Sequence, residues 1–128
     1  MSKYENLEVW KKSILLVTKI YKFSQENSKL SHDYGLLDQI RRAAVSIPSN
    51  IAEGNERETT TEFIRYLVIA RGSTAELSTQ LLICKDIGYI SDEEYIILSE
   101  SIIEIHKMIN GLISFQKQKR ATLVPSSN

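Results

Sequence analysis

The sequence has few of the residues that most often build chemical sites. Its 128 residues include one cysteine, Cys84, and two histidines, His32 and His106. A lone cysteine cannot form an internal disulfide, and because Cys84 falls on an apolar helical stripe, a structural role is favoured over a reactive thiol. A di-metal site in a helical bundle needs a Glu-x-x-His motif on each of two helices, and neither histidine stands in such a motif. The sequence therefore predicts no metal site and no cofactor.

A charge surplus and long apolar runs are also lacking. The 16 lysines and arginines balance the 16 aspartates and glutamates, whereas a strong non-specific nucleic-acid binder usually carries a basic surplus. No apolar run approaches the ~18 residues that span a membrane, and the first residues do not resemble a signal peptide. A single cysteine suits a reducing compartment. Together these features predict a cytoplasmic protein without membrane contact.

Motifs of known enzyme classes are missing as well. The sequence has neither a glycine-rich phosphate loop nor a dinucleotide fingerprint, and Ser46 and Ser49 have no neighbouring base. His106 lies beside an apolar stripe, which favours a partly buried structural histidine. We therefore predict a protein that is not an enzyme and has no catalytic residues.

What is present is helical periodicity. Four segments have apolar residues at alternating spacings of three and four, the pattern of an amphipathic helix. They predict helices over about residues 7–25, 33 or 34 to 53, 60–87 and 92–117. Because short connections favour antiparallel neighbours, the predicted fold class is an all-α, antiparallel up-down-up-down four-helix bundle over residues 1–120, followed by a disordered tail at residues 121–128.

Each predicted helix has one stripe assigned to the core. These stripes are Leu7, Trp10, Ile14, Val17 and Tyr21; Leu37, Ile40, Ala44, Ile47 and Ile51; Phe63, Leu67, Ala70, Thr74, Leu77, Leu81 and Cys84; and Tyr95, Leu98, Ile102, Ile105, Ile109 and Leu112. Pro48 lies inside the second stripe and cannot donate to the carbonyl of Ala44, so the second helix is expected to kink there without ending.

Capping residues mark the predicted helix ends. Asp33 is a predicted N-cap, and Thr-x-x-Glu and Ser-x-x-Glu sequences precede the third and fourth helices. Glycines are expected to end the second and third helices. These residues are Thr59 with Glu62, Ser91 with Glu94, Gly54 and Gly88.

The apolar surface exceeds what one bundle is expected to bury. A helix packed on one core needs an apolar arc of about 100°, yet the first and third helices carry a second apolar row. Gly72 lies mid-helix, where glycine costs about 1 kcal/mol relative to alanine; it favours either a subunit contact or a tight contact within the bundle. The residues predicted to form an oligomer interface are Leu16, Ile20, Phe23, Ile64, Val68, Gly72 and Ala75. The alternative is that one closely packed bundle hides them all.

An arginine-bearing surface is the second candidate site. Arginine binds phosphate in a bidentate way, and amide and hydroxyl groups supply further hydrogen bonds. Nearby acids allow the alternative of a solvated face with salt bridges. The candidate residues for nucleic-acid or partner binding are Arg41, Arg42, Ser46, Ser49, Asn50, Arg57, Arg65 and Arg71.

One segment resembles a known family. Residues 39–54, which contain the run SIPSNIAEG, resemble the signature of the 23S rRNA intervening-sequence protein family, also called the four-helix bundle protein family. The start LEVWK at residues 7–11 and the runs FIRYL, ARGS and AEL between residues 63 and 77 are similar to its first and third helices. The resemblance covers about residues 4–118.

This resemblance implies an antiparallel four-helix bundle that assembles into a ring, typically a homopentamer. Some members are encoded inside intervening sequences of large-subunit rRNA genes. A relative, the accessory protein of diversity-generating retroelements, is a basic pentameric barrel that binds nucleic acid and a reverse transcriptase. The present chain departs from that relative because it has no basic surplus.

Two hypotheses for the function follow. The first is a non-enzymatic homo-oligomer, expected to be a pentamer, that binds RNA, DNA or a protein partner through its arginines. The alternative is a purely structural or protein–protein interaction scaffold, in which the arginines form salt bridges between subunits.

Overall fold

The computed structural model describes residues 3–123, and these form helices without a strand. A 3₁₀ turn at Lys3–Asn6 precedes five α-helices: α1 at Glu8–Glu26, α2 at Ser28–His32, α3 at Tyr34–Asn55, α4 at Thr60–Asp86 and α5 at Asp92–Leu123. The all-α class predicted from the sequence is thus confirmed for the described residues.

Two segments differ from the sequence prediction. The stretch between the first two predicted helices contains the short α2, because Asn27 caps it by accepting a hydrogen bond from the Leu30 amide at 2.8 Å and Leu30 is fully buried. Helix α5 extends to Leu123 rather than ending near residue 117, so residues 121–123 of the predicted disordered tail are helical. Residues 124–128 of that tail lie outside the described residues.

The four long helices form a closed circuit around one hydrophobic core. Helix α1 packs beside α3 and α5, and α4 also packs beside α3 and α5. This arrangement fits a four-helix bundle. Between α3 and α4, Ser46 contacts Ser73 and Gly54 approaches Tyr66. Between α4 and α5, Thr74 contacts His106 and Thr61 contacts Arg120. On the side of α1 and α5, Lys12 contacts Glu104 and Asn27 contacts Tyr89, and between α1 and α3, Ser24 contacts Arg41.

The predicted core stripes are confirmed best in α4, where all seven stripe residues are buried. In α1 the assignment was right only in part, because Leu7, Trp10 and Val17 pack partly buried against the core. The buried line runs instead through Val9, Ser13, Leu16, Ile20 and Ser24, while Ile14 is 38% exposed. Ser13 and Ser24 interrupt the apolar pattern of this line, so it is not recognisable as a core stripe in the sequence. Both can be buried because each is small and its hydroxyl donates to the carbonyl three residues earlier in α1.

Gly54 does not end α3, which continues through Pro48 to Asn55. A Cβ added to Gly54 would lie 2.7 Å from the Cβ of Tyr66 and 3.3 Å from the carbonyl oxygen of Phe63. This glycine therefore permits close approach of α3 and α4, and the predicted stop was wrong.

The predicted caps are confirmed. Asp33 accepts from the Leu36 amide at 3.2 Å, and Thr59 accepts from the Glu62 amide at 3.1 Å. Ser91 and Glu94 form a reciprocal capping box, with backbone-to-side-chain bonds of 2.9 and 3.1 Å. Gly88 has the left-handed φ of 81° expected after α4.

Candidate functional site

The candidate polar residues of α3 form a hydrogen-bonded seam with α4. The Asn50 amide donates to the carbonyl oxygen and hydroxyl of Ser46 at 2.8 and 2.9 Å. The hydroxyls of Ser46 and Ser73 lie 2.7 Å apart, and Ser73 donates to the Ile69 carbonyl at 3.2 Å. Ser46 must therefore donate to Ser73, so Asn50, Ser46 and Ser73 form a directed chain across the α3–α4 seam. Ser46 and Asn50 serve helix packing, whereas Ser49 is exposed.

Arg57 closes one end of the same seam. Its guanidinium donates to Glu53 at 2.6 Å and to the Tyr66 hydroxyl at 2.5 Å, and it lies 4.8 Å from the centre of the Tyr66 ring. The Cβ of Tyr66 is also the atom of α4 nearest to the position that a Cβ on Gly54 would occupy. Arg57 thus has three contacts within the chain, which leaves fewer donors for a phosphate group.

Arg41 and Arg71 also have partners between helices. Arg41 donates twice to Ser24, at 3.0 and 3.3 Å, and lies 4.6 Å from the centre of the Tyr21 ring. Arg71 donates to the side chain of Asn110 at 3.0 Å, across the α4–α5 seam. Both arginines therefore join helices.

Arg42 and Arg65 are the two candidate arginines with the most exposed side chains, at 80% and 70%. Arg42 pairs with Asp38 at 2.8 Å and Arg65 with Glu62 at 3.6 Å. Exposed pairs of this kind contribute about 0–1 kcal/mol, so either arginine can exchange its partner at little cost. The eight candidate residues do not form one surface, since α3 separates Arg42 from Arg57 by roughly 20 Å at 1.5 Å per residue.

The predicted interface residues divide into two groups. Leu16, Ile20 and Ile64 are buried in the core of the single chain, and Phe23 packs partly buried against it. This corrects their assignment, because side chains already covered in one chain offer no surface to another. Val68, Gly72 and Ala75 are exposed on α4. Among the described residues, none outside the Gly72 turn of α4 lies within 4 Å of a Cβ added at Gly72, so the helix packing described here does not require a glycine at this position.

Several exposed apolar residues were missed by the sequence analysis. They lie on helix faces away from the core, and the feature that could have identified them is a large apolar side chain outside the core stripe. These residues include Leu15, Val45, Ile96, Ile97, Ile103 and Phe115.

The titratable groups show no catalytic arrangement within residues 3–123. Burial raises the pKa of the Cys84 thiol to about 11, with a smaller effect of Asp33, so the thiol is protonated at neutral pH. The hydrogen bond to Asp33, then burial, raise the pKa of Tyr89. His106 contacts the Thr74 hydroxyl at 2.9 Å, and because Thr74 donates to the Arg71 carbonyl at 2.6 Å, the His106 Nδ1 is the donor. No cluster of three potential metal-ligating side chains occurs in the described part of the chain. Among the helices described, none has the length and hydropathy to cross a membrane.

Comparison with known proteins identifies the family. The model of the 23S rRNA-intervening sequence protein family matches residues 5–111. The chain belongs to this family. Among solved structures, this chain is similar to a protein of unknown function from the S23 ribosomal protein family of Bacteroides thetaiotaomicron, with 26% identity and a TM-score of 0.77. The match covers 82% of this chain and 97% of that one. No curated protein matches the chain. Neither the family nor this neighbour is described as an enzyme.

The structure explains the run that carried the family resemblance. Within SIPSNIAEG, Ser46 and Asn50 form the polar seam, Gly54 permits the close approach of α4, and Glu53 pairs with Arg57. In this intervening-sequence protein the run therefore fixes how α3 packs on α4.

Proposed function

We propose that this protein is a non-enzymatic helical scaffold that assembles with copies of itself in the cytoplasm. The observation that carries the proposal is Gly72. It occupies the middle of α4, where it costs about 1 kcal/mol relative to alanine, and no described residue of another helix lies within 4 Å of a Cβ added there. The close approach of a second chain supplies a reason for a glycine there.

The apolar residues beside Gly72 support this reading. Val68 and Ile69 are 41% and 42% exposed, and Leu82 and Ile83 further along α4 are 41% and 44% exposed. Apolar surface of this extent along one helix is typical of an interface. The resemblance described above adds a subunit number, and we propose a homopentamer.

Two features of the subunit belong to the proposal. Contacting residues run in opposite directions along neighbouring helices: Ser46 contacts Ser73, whereas the later residue Gly54 approaches the earlier residue Tyr66. Neighbouring helices are therefore antiparallel, and we infer the up-down-up-down order. We also infer a bend of α3 at Pro48. The proline ring crowds the Ala44 carbonyl, and the proline nitrogen has no hydrogen to donate to that carbonyl.

Light scattering coupled to size-exclusion chromatography tests the assembly. We expect a mass five times 14.6 kDa. A single species of 14.6 kDa at micromolar concentration would refute the proposal.

A second candidate function is the binding of RNA or DNA. It is favoured by the exposure of Arg42 and Arg65, each of which pairs with an acid about one turn away on its own helix. Repetition of these arginines around an oligomer would multiply a weak phosphate contact. The balanced total charge weighs against it, so it stands second.

Binding of a fluorescent single-stranded RNA at several salt concentrations tests this candidate. Contacts to phosphate predict an affinity that falls steeply with salt, and that falls further in the double variant Arg42→Gln, Arg65→Gln. Arg71→Gln is the matched control, because Arg71 is bound to Asn110. Absence of binding at low salt would refute this candidate and leave the scaffold proposal intact.

A further inference from the structure

The α1–α3 side of the bundle has an open apolar groove. Trp10, Ile14, Val17, Val45 and Pro48 line it. Ile14 and Val45 are 38% and 39% exposed. We call these five residues the α1–α3 groove.

The α4–α5 side has an exposed apolar ridge. On α4, Val68, Ala75 and Leu82 are spaced by seven, and Ala75 is one turn beyond Arg71, which contacts α5. On α5, Ile96 and Ile103 are also spaced by seven, and one further step of seven leads to Asn110, the partner of Arg71. Spacing by seven keeps residues on one side of a helix. We call Val68, Ala75, Leu82, Ile96 and Ile103 the α4–α5 ridge; all five are exposed.

The groove and the ridge lie on opposite sides of the molecule. Helices α1 and α3 are neighbours, α4 and α5 are neighbours, and the circuit of contacts is closed by α3 with α4 and α5 with α1. When the ridge of one copy contacts the groove of the next, an open assembly has a free ridge at one end and a free groove at the other. Such a contact repeats from copy to copy, and it gives a closed ring when the rotation between copies divides a full turn.

The charges at one end of the two surfaces are complementary. The groove continues past Val45 to Arg41, Arg42 and Asp38, the acidic partner of Arg42, and this lining has one net positive charge. Asp86 and Asp92 stand beside the end of the ridge, at the end of α4 and the start of α5. These positions share one end of the bundle, because Tyr89 between α4 and α5 donates to Asp33, the residue before α3, at 2.9 Å. Subunits related by a rotation axis along the bundle meet with like ends together, so the arginines of one copy would face the aspartates of the next.

We infer that the ridge of one copy packs into the groove of the next, so that the chain assembles head to tail. The occupant of the groove is a second copy of this chain. The inference rests on the proposed self-assembly and specifies its two surfaces.

Two glutamate substitutions test it, one on each surface. Val45→Glu damages only the groove and Leu82→Glu only the ridge, and each of these side chains is about two-fifths exposed. We expect each variant to be a 14.6 kDa monomer by light scattering. Mixed in equal amounts they retain one intact ridge and one intact groove, so the mixture should form a species of twice 14.6 kDa. The control is Leu15→Glu, at a 68% exposed position toward α5, which should keep the wild-type mass.

The outcomes separate this inference from the proposal beneath it. A monomeric wild type refutes both. An oligomeric wild type whose mass neither variant lowers refutes the head-to-tail contact alone, and so does loss of assembly in only one variant, which indicates a surface that pairs with itself. Two monomeric variants that do not combine also refute it. Circular dichroism checks folding; if Val45→Glu or Leu82→Glu unfolds, Ile14→Glu or Ile103→Glu replaces it.

Discussion

Replacing Gly54 by alanine should destabilise the protein, although alanine is the better helix former. Gly54 has no positive φ and lies within α3, so the backbone itself accepts alanine, which would gain about 1 kcal/mol in a free helix. The added Cβ would meet the Cβ of Tyr66 at 2.7 Å, a side-chain ring atom of Phe63 at 3.0 Å and its carbonyl oxygen at 3.3 Å.

The nearest of these atoms cannot rotate away. The Cβ of Tyr66 is fixed to the backbone of α4, and carbon atoms prefer separations of about 3.5–4.0 Å. Helices α3 and α4 must therefore move apart along a seam that also contains Asn50 and Arg57. Overpacking costs about 1–3 kcal/mol, and because the Tyr66 Cβ cannot rotate away we expect the upper part of that range, about 2–3 kcal/mol, which outweighs the helix gain of about 1 kcal/mol. We expect a net loss of about 1–2 kcal/mol and, for a domain of this length, a Tm lower by roughly 4–8 °C.

Gly111→Ala is the matched control. Gly111 lies in α5, and a Cβ there would meet nothing within 4 Å, so the same substitution should raise the stability by about 0.5–1 kcal/mol. Thermal and urea unfolding followed by circular dichroism, at one fixed protein concentration, measures both. If Gly54→Ala stabilises the protein as Gly111→Ala does, the close approach of α3 and α4 does not require glycine and our account of the SIPSNIAEG run is wrong.

Three further predictions concern caps and titration. Ser91→Ala removes one half of the capping box with Glu94 and should lower the free energy of unfolding by about 1 kcal/mol; an unchanged urea midpoint would contradict it. Asp33→Ala removes both the α3 cap and the acceptor of Tyr89, so it should cost more than Tyr89→Phe, which removes one bond worth about 0.5–1.5 kcal/mol; equal losses would contradict this. Because folding raises the pKa of the Cys84 thiol from 9.0 to about 11, the unfolded chain loses the thiol proton at a lower pH than the folded chain does. Stability should therefore be intact below pH 9 and fall between pH 9 and 11, and Cys84→Ala should make that fall shallower; a fall of unchanged slope would show that other groups cause it.

The sequence was sufficient where local interactions decide the structure. The start of each long helix after α1 depends on a cap within three residues, so Asp33, Thr59 and Ser91 could be identified from their neighbours alone. The core stripe of α4 was equally clear, because its seven residues are uniformly apolar or small. The short α2 was missed because its stability depends on burial of one side chain, Leu30.

The candidate site was less predictable. Arg41, Arg57 and Arg71 each have a partner on another helix, at sequence separations of 17, 9 and 39. Such partners depend on which helices are neighbours, so an arginine bound to its own fold and one free for a ligand look alike in the sequence.

The sequence by itself determined that the chain is helical and where its long helices begin, because helix periodicity and capping act over a few residues. Only the tertiary structure decided which of two apolar stripes of α1 enters the core, why Gly54 is a glycine, and which apolar residues remain uncovered. These features depend on the distance between helices, and that distance is set by packing between residues far apart in the chain.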